Sequence, residues 1–195
     1  MRIFGTPYRK LHDEELMPLV VKHDRRAFEE LYDRYAKLMF NYFLRMLWKD
    51  RERARDFTQD LFTRIAAKPH LYDASRPFKT WVYTVAHNMC KNEYAKHEVR
   101  STARNELLYT TESTSKEEST TTIDRNNFMQ SLMNALENLD AIKRQTFELR
   151  FFQELSIIEI SEIMEVSEGT VKSRLFYILK ELNKELKAFE HILKL

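Results

Sequence analysis

Only two glycines, Gly5 and Gly169, and four prolines occur among the 195 residues of this chain. Sandwiches and barrels need turn residues at regular spacing, so their scarcity excludes a β fold and favours helices throughout. Two glycines also cannot build a phosphate-cradling P-loop or a dinucleotide-binding fingerprint. A single cysteine, Cys90, rules out an internal disulfide framework and points to a reducing compartment. No apolar run reaches the length of a membrane span, and the first residues, MRIFGTPYRKLHDEEL, lack the apolar stretch of a secretory leader. The expected location is therefore the cytoplasm, with no membrane insertion. The six histidines, His12, His23, His70, His87, His97 and His191, show no metal-ligand spacing with the cysteine. Glu52, Asp56 and Asp60 could begin a metal-bound triad, but nothing completes it. No cofactor, no metal and no enzymatic activity are expected.

What is present is a divided chain. Residues 1–100 carry 20 Lys and Arg against 14 Asp and Glu, a net +6, whereas residues 101–126 and 127–195 each carry −2. The first half is thus the more polyanion-facing part. The stretch STARNELLYTTESTSKEESTTTIDRN, 101–126, is rich in Ser and Thr and nearly free of bulky apolar residues after Tyr109. It cannot bury enough apolar surface to offset ordering entropy, so it reads as a flexible linker. The expected fold is all-α: a four-helix N-terminal domain over 1–100 and a C-terminal helix-turn-helix domain over 127–195.

Helical spacing and capping residues give the elements. A short helix covers 11–22. Asp24 can cap a long helix with Phe28, Leu31, Tyr32, Tyr35, Leu38, Met39, Tyr42, Phe43 and Met46 at apolar positions, and Asp50 can cap the next, to about Ala67. KPHLYDASRP carries two prolines and turn residues, hence a loop. A last N-terminal helix runs from near Pro77 to about His97. After the linker, Phe128, Met129, Leu132, Met133, Leu136 and Leu139 form one amphipathic helix, Asp140 starts a second to about Phe152, and Ser156 with Glu159 forms a capping box for a short third. Ser167 then caps a long final helix, with Glu168 and Gly169 in its first turn. There Gly169, lacking a Cβ, leaves room for the preceding helix or a phosphate to approach the backbone.

On that final helix Val171, Leu175, Ile178, Leu179, Leu182, Leu186 and Phe189 share one arc, and Lys172, Ser173, Phe176, Tyr177 and Lys180 share the other, with Arg174 at the margin. A short helix, a tight turn and a helix with a mixed basic, polar and aromatic face is the layout that enters the major groove. Lys172 and Arg174 suit phosphates or guanine edges, Ser173 bases or phosphates, and Phe176 thymine methyl groups. In the helix after Pro77, Phe78, Val82, Val85, Ala86 and Met89 form an apolar face. Lys79, Tyr83, His87, Asn88, Lys91 and Asn92 form a second face of aromatic, amide and basic groups, suited to base edges, phosphates and unpaired bases.

LSIIEISEIMEVSEGTVKSRLFYILKEL, and within it the run from Gly169 to Arg174, resembles the −35-reading helix-turn-helix of bacterial sigma factors. FKTWVYTVAHNMCKNEYAK, through Phe78, Trp81, Ala86 and Asn88, resembles the −10-reading helix of the extracytoplasmic-function subfamily. RARDFTQDLFTRI is similar to the segment that docks on the clamp helices of RNA polymerase. These motifs follow family order over roughly residues 24–182. The resemblance implies an alternative sigma factor that binds core RNA polymerase and promoter DNA, recognises −10 and −35 elements, and is answered by an anti-sigma factor. A monomer is expected when free. Asp56, Gln59 and Asp60 would supply polar contacts to polymerase and Phe62 an apolar anchor. The loop HLYDASRP would hold the extruded −10 base through Tyr72, Asp73, Ser75 and Lys79, with Trp81 at the duplex junction or in the core. Tyr83, His87, Asn88, Lys91 and Asn92 would continue that DNA surface. Ser167, Thr170, Lys172, Ser173, Arg174, Phe176 and Tyr177 would face the −35 element. The linker would thread the RNA-exit region.

The sequence also departs from the family. Asn92 stands where relatives often carry an acid, Lys96 and Arg100 alternate with Glu98 where a basic cluster is usual, and Tyr177 replaces a common arginine. The competing reading is a stand-alone helix-turn-helix regulator, and the segment from Asp56 to Phe62 discriminates between the two.

Overall fold

The computed structural model describes residues 8–104 and 121–189. Eight α-helices follow in order: α1 Asp13–Val21, α2 Arg25–Met46, α3 Arg51–Ala67, α4 Phe78–Arg104, α5 Thr121–Asn138, α6 Ala141–Phe147, α7 Ile157–Met164 and α8 Glu168–Glu185. No strand occurs among the described residues. Most of the expected linker, 105–120, lies outside them, as do the side chains of Glu98 and Arg100. The chain divides into two compact units near Asn92.

Local chemistry sets the helix starts. The Asp24 carboxylate accepts from the N–H groups of Arg26 and Ala27 at 2.9 and 3.2 Å, Asp50 from Arg53 at 3.0 Å, and Asp140 from Lys143 at 2.8 Å. Each satisfies donors that a helix leaves open at its first turn. At Ser156 the capping box closes both ways, Ser156 N–H to Glu159 at 2.7 Å and Glu159 N–H to Ser156 Oγ at 3.2 Å. α4 runs one to two turns past His97, since neither glycine nor proline lies between Phe78 and Arg104 to stop it.

With so few glycines, other residues take the left-handed conformation at helix ends. His23, Trp48, Lys49, Glu154 and Glu165 all have φ between 54° and 62°. Glycine would adopt this region without strain.

In the N-terminal unit, Leu16, Met17, Leu31, Met39, Phe43, Leu61, Ile65 and Phe78 are fully or almost fully buried. α2 lies against α1 and α3 along its apolar stripe. In the C-terminal unit Ala135, Leu136, Leu139, Phe147, Ile178, Leu182 and Leu186 form the core, with Phe128, Leu132, Met133, Phe152 and Phe189 packed on it. Two expected apolar positions lie outside it: Met129 and Leu179 are exposed. Leu179 sits at the edge of the α8 arc, where the neighbouring helices no longer cover it.

The single helix expected over 140–152 breaks into α6 and a π turn, Glu148–Phe152. The wider turn brings Glu148 inside, where its carboxylate accepts from Gln153 Nε2 at 2.7 Å, and leaves Phe151 exposed. A buried carboxylate needs such a partner.

Candidate functional site

Three surfaces carry the residues singled out from the sequence. The first is the outer face of α3. Asp56, Gln59 and Asp60 are exposed there. Asp56 and Asp60 are one turn apart, which by itself is mildly repulsive, but Asp60 accepts from Arg64 at 2.7 and 3.1 Å and is thereby compensated. Phe62 is not an exposed anchor. It is 3% exposed, because its position on α3 turns toward α2, and its ring meets Phe28 at 6.3 Å and Tyr32 at 4.7 Å, both edge to face. These rings floor a surface groove of about 930 Å³ between α2 and α3, with Arg55, Gln59 and Thr63 among its other lining residues. The groove is a feature the sequence motif did not show, since one of its walls, with Phe28, Tyr32, Ala36 and Phe40, comes from α2.

The second surface is the 72–77 loop with the outer face of α4. Tyr72 is half-buried; its hydroxyl donates to the backbone carbonyl of Arg76 at 2.6 Å. Its ring meets Phe78 at 5.7 Å and Trp81 at 5.3 Å, edge to face. Burial first, then the carboxylates of Glu14, Asp13 and Asp73, pushes its phenol up to about 12. Asp73 accepts from the Ser75 N–H at 2.9 Å. Hydrogen bonds from the Ser75 side chain and backbone, aided by the charge of Arg76, hold its carboxyl below the usual range. At neutral pH the loop therefore presents a neutral phenol beside an anion, braced by its own hydrogen bonds. Ser75 is exposed, and Lys79 and Trp81 are half-buried.

Two residues expected on the DNA side of α4 are inside. Tyr83 is fully buried, its ring 5.7 Å from that of Tyr42, and His87 is 7% exposed. Positions four apart lag a 3.6-residue helix by about 40° each step. The series 79, 83, 87, 91 therefore drifts across the buried arc before emerging. The arc that faces outward carries Trp81, Thr84, Asn88, Lys91 and Asn92, of which the last three are exposed. Thr84, on this arc, donates through its hydroxyl to the Thr80 carbonyl at 2.9 Å. Val85, expected in the core, is half-buried at the edge of the same arc.

The third surface is the start of α8. Ser167 Oγ accepts from the Thr170 N–H at 3.1 Å and lies 2.9 Å from Thr170 Oγ1. Ser173 Oγ donates to the Thr170 carbonyl at 3.0 Å. Lys172 is held loosely, 3.4 Å from Glu168, and Arg174 is half-buried. Phe176 and Tyr177 stand 64% and 59% exposed, with their rings 5.5 Å apart at 77°. Two large rings thus lie together at the surface of α8. A Cβ at Gly169 would meet only Ser167 Oγ, at 3.7 Å. The preceding helix is not close, so its packing does not require a glycine here. The turn before α8 takes its left-handed residue from Glu165 instead.

Among the described residues no three His, Cys, Asp or Glu side chains converge as a metal site, and no helix is long and apolar enough to cross a membrane.

Comparison with known proteins adds to this geometry. Residues 31–100 match the family model Sigma-70 region 2, and residues 129–182 match Sigma-70, region 4. The chain is 31% identical over 155 residues to the ECF RNA polymerase sigma factor SigL of Mycobacterium tuberculosis, covering 78% of this chain and 84% of that one. It is 28% identical over 179 residues to the ECF RNA polymerase sigma factor SigW of Bacillus subtilis, covering 86% and 93%. Two solved structures are similar in fold. CnrH in complex with the cytosolic domain of CnrY gives a TM-score of 0.65 at 21% identity, over 90% of this chain and 97% of that one. The sigma factor RpoE with the anti-sigma factor NepR, from Bartonella quintana, gives 0.64 at 18%, over 82% and 96%.

Proposed function

This chain belongs to the sigma-70 family, among the ECF RNA polymerase sigma factors, and from that premise we propose how its three surfaces divide the work of starting transcription. The protein is an alternative sigma factor: it binds core RNA polymerase, recognises −10 and −35 promoter elements, and initiates transcription. The observation that carries this is the presence of both regions, in order, in one chain.

Core polymerase docks on the outer face of α3 through Asp56, Gln59 and Asp60. An apolar group of the polymerase enters the groove floored by Phe28, Tyr32 and Phe62. Asp60 exchanges Arg64 for a polymerase cation, so its net contribution is modest. Opening the duplex costs a few kcal/mol per extruded base. The 72–77 loop lowers that cost by stacking the base on Tyr72 and offering Asp73 and Ser75 as polar partners, while Lys79 draws the phosphate. Trp81, Asn88, Lys91 and Asn92 carry the DNA surface along α4. On α8, Lys172, Ser173 and Arg174 engage phosphates and base edges, Phe176 and Tyr177 the apolar edges, and Ser167 and Thr170 shape the turn that places them. With Tyr177 in place of a common arginine, the −35 preference is this chain's own. Because both solved relatives are complexes with a second protein, one of them a named anti-sigma factor, we assign this chain a protein antagonist that competes for its α3 surface.

Run-off transcription with purified core polymerase tests the reading. The full chain is expected to direct specific transcripts, and Asp56→Ala with Gln59→Ala to abolish them by loss of core binding. Tyr72→Ala and Asp73→Ala are expected to retain core binding but lose opening and −10 base preference. Tight promoter binding without core, with no run-off product, would instead mark a stand-alone regulator.

A further inference from the structure

α4 begins without a cap of its own. Pro77 precedes it and offers no acceptor side chain, and the nearest loop carboxylate, Asp73, is committed to Ser75. The first donor of the helix, Phe78 N–H, is nevertheless satisfied: it donates to Glu14 Oε1 at 2.9 Å, from a residue 64 positions earlier on α1. A cap borrowed from so far away is also a tie between two elements. α1 is itself tied to α2. Asp13, next to Glu14, lies 2.6 Å from Arg34 Nη1 and accepts from the Tyr35 hydroxyl. Arg34 also takes the Leu11 carbonyl at 3.0 Å and Glu30 at 2.9 Å, in a cluster whose ion-paired side chains are 15–26% exposed. Neighbouring carboxylates thus grip two walls, Asp13 the α2 side and Glu14 the start of α4.

What they hold between them is the loop. Phe78, the residue Glu14 caps, is fully buried, with Tyr35 on one side at 5.1 Å and Tyr72 and Trp81 on the other, each at 5.7 Å. The upward push on the Tyr72 phenol comes partly from Glu14 and Asp13, which fits their proximity. Tyr72 rests on the Phe78 and Trp81 rings, and the Glu14 bond fixes the backbone from which the Phe78 ring projects. A preorganised loop avoids the ordering cost of binding.

We infer that Glu14 is a positioning residue for −10 base capture: through the Phe78 N–H it holds the 72–77 loop in its binding shape. The inference rests on the assignment of that loop as the capture site. Its acceptor, rather than its charge, is what matters, and side-chain length sets whether the acceptor reaches.

The test uses holoenzyme assembled from the full chain and core polymerase, on promoters differing at one −10 base. The readout is the ratio of open complexes on the preferred base to those on the next best. This ratio is independent of the fraction of sigma factor that is folded. Glu14→Gln keeps the acceptor and the length, and is expected to hold the ratio within about twofold of wild type. Glu14→Asp keeps the charge but shortens the reach, and with Glu14→Ala is expected to lower the ratio about tenfold, the worth of one hydrogen bond to a buried backbone N–H. Core binding, measured by competition, stays unchanged in all three. An unmoved ratio in Glu14→Asp, or a Glu14→Gln as poor as Glu14→Ala, overturns the inference. Should Tyr72→Ala and Asp73→Ala also leave the ratio unmoved, the loop assignment falls with it; should they move it while Glu14→Asp does not, only the role of Glu14 falls.

Discussion

Gly169→Ala separates conformational need from contact need at the start of the DNA-reading helix. Gly169 is the second residue of α8, after the Ser167 cap. Its backbone is compatible with an L side chain, and an added methyl would touch only Ser167 Oγ, at 3.7 Å. Gly→Ala at such a site stabilises by about 0.4–1 kcal/mol, chiefly by narrowing the unfolded ensemble. For a unit of this size that is about 2–6 °C in Tm. Thermal unfolding of the full chain, with hydrogen exchange of the α8 amides to localise the gain, measures it. The same methyl projects into open space where a phosphate would approach the helix N-terminus. Loss of one charge-assisted hydrogen bond from that end is worth about tenfold in −35-dependent promoter affinity. The expected result is a more stable protein that transcribes less. A destabilised variant refutes the conformational reading, and full −35-dependent activity refutes the claim that DNA requires this glycine. Glu165→Gly is the control: at φ 54° glycine relieves left-handed strain of about 1–2 kcal/mol, against the entropy glycine costs, so stability is expected to hold or rise.

Ile178 is fully buried in the C-terminal core, so Ile178→Ala is expected to cost about 2–5 kcal/mol in denaturant unfolding, and to abolish −35 recognition by unfolding rather than by lost contact. Desolvation raises the Asp24 carboxyl, but hydrogen bonds from the Tyr8 hydroxyl and the Ala27 and Arg26 N–H groups together outweigh it and hold it below its ordinary value. A depressed carboxyl contributes stability that is present above its unfolded value, about 3.9, and lost as pH falls through the lower folded one. Asp24→Asn should flatten the acid limb of the stability curve below about pH 4, measured by denaturation midpoints across pH. Lys91→Ala should weaken DNA complexes uniformly and reduce the salt slope by about 1. Tyr83→Ala should instead lower the stability of the N-terminal unit by about 3–5 kcal/mol, in line with other large aromatic truncations in a core.

Helix starts were legible in the sequence because caps are local. Asp24, Asp50, Asp140, Ser156 with Glu159, and Ser167 each bond within three residues. The exposed side of α8 was legible too, because that helix has one covered arc, and Phe176 and Tyr177 fall clearly outside it. α4 was harder. Its covered arc spans more than half the helix, with Phe78, Val82, Tyr83, Ala86, His87, Met89 and Cys90 all inside. Polar and aromatic residues there read as a second surface when they are partly core. Phe62 shows the same limit: the motif places it on α3, but only α2 decides that Phe28 and Tyr32 cover it.

From its residues alone the chain determined an all-α architecture, through its lack of glycine and proline and its capping residues. It also determined the order of the two family motifs, region 2 before region 4. Those are properties of neighbours within a few positions, where a capping residue or a periodic pattern acts directly. Which side of α4 faces outward, the groove between α2 and α3, and the cap that Glu14 lends to Phe78 were decided only in three dimensions. Each depends on an element distant in the chain, and no local pattern carries the direction from which that partner will arrive.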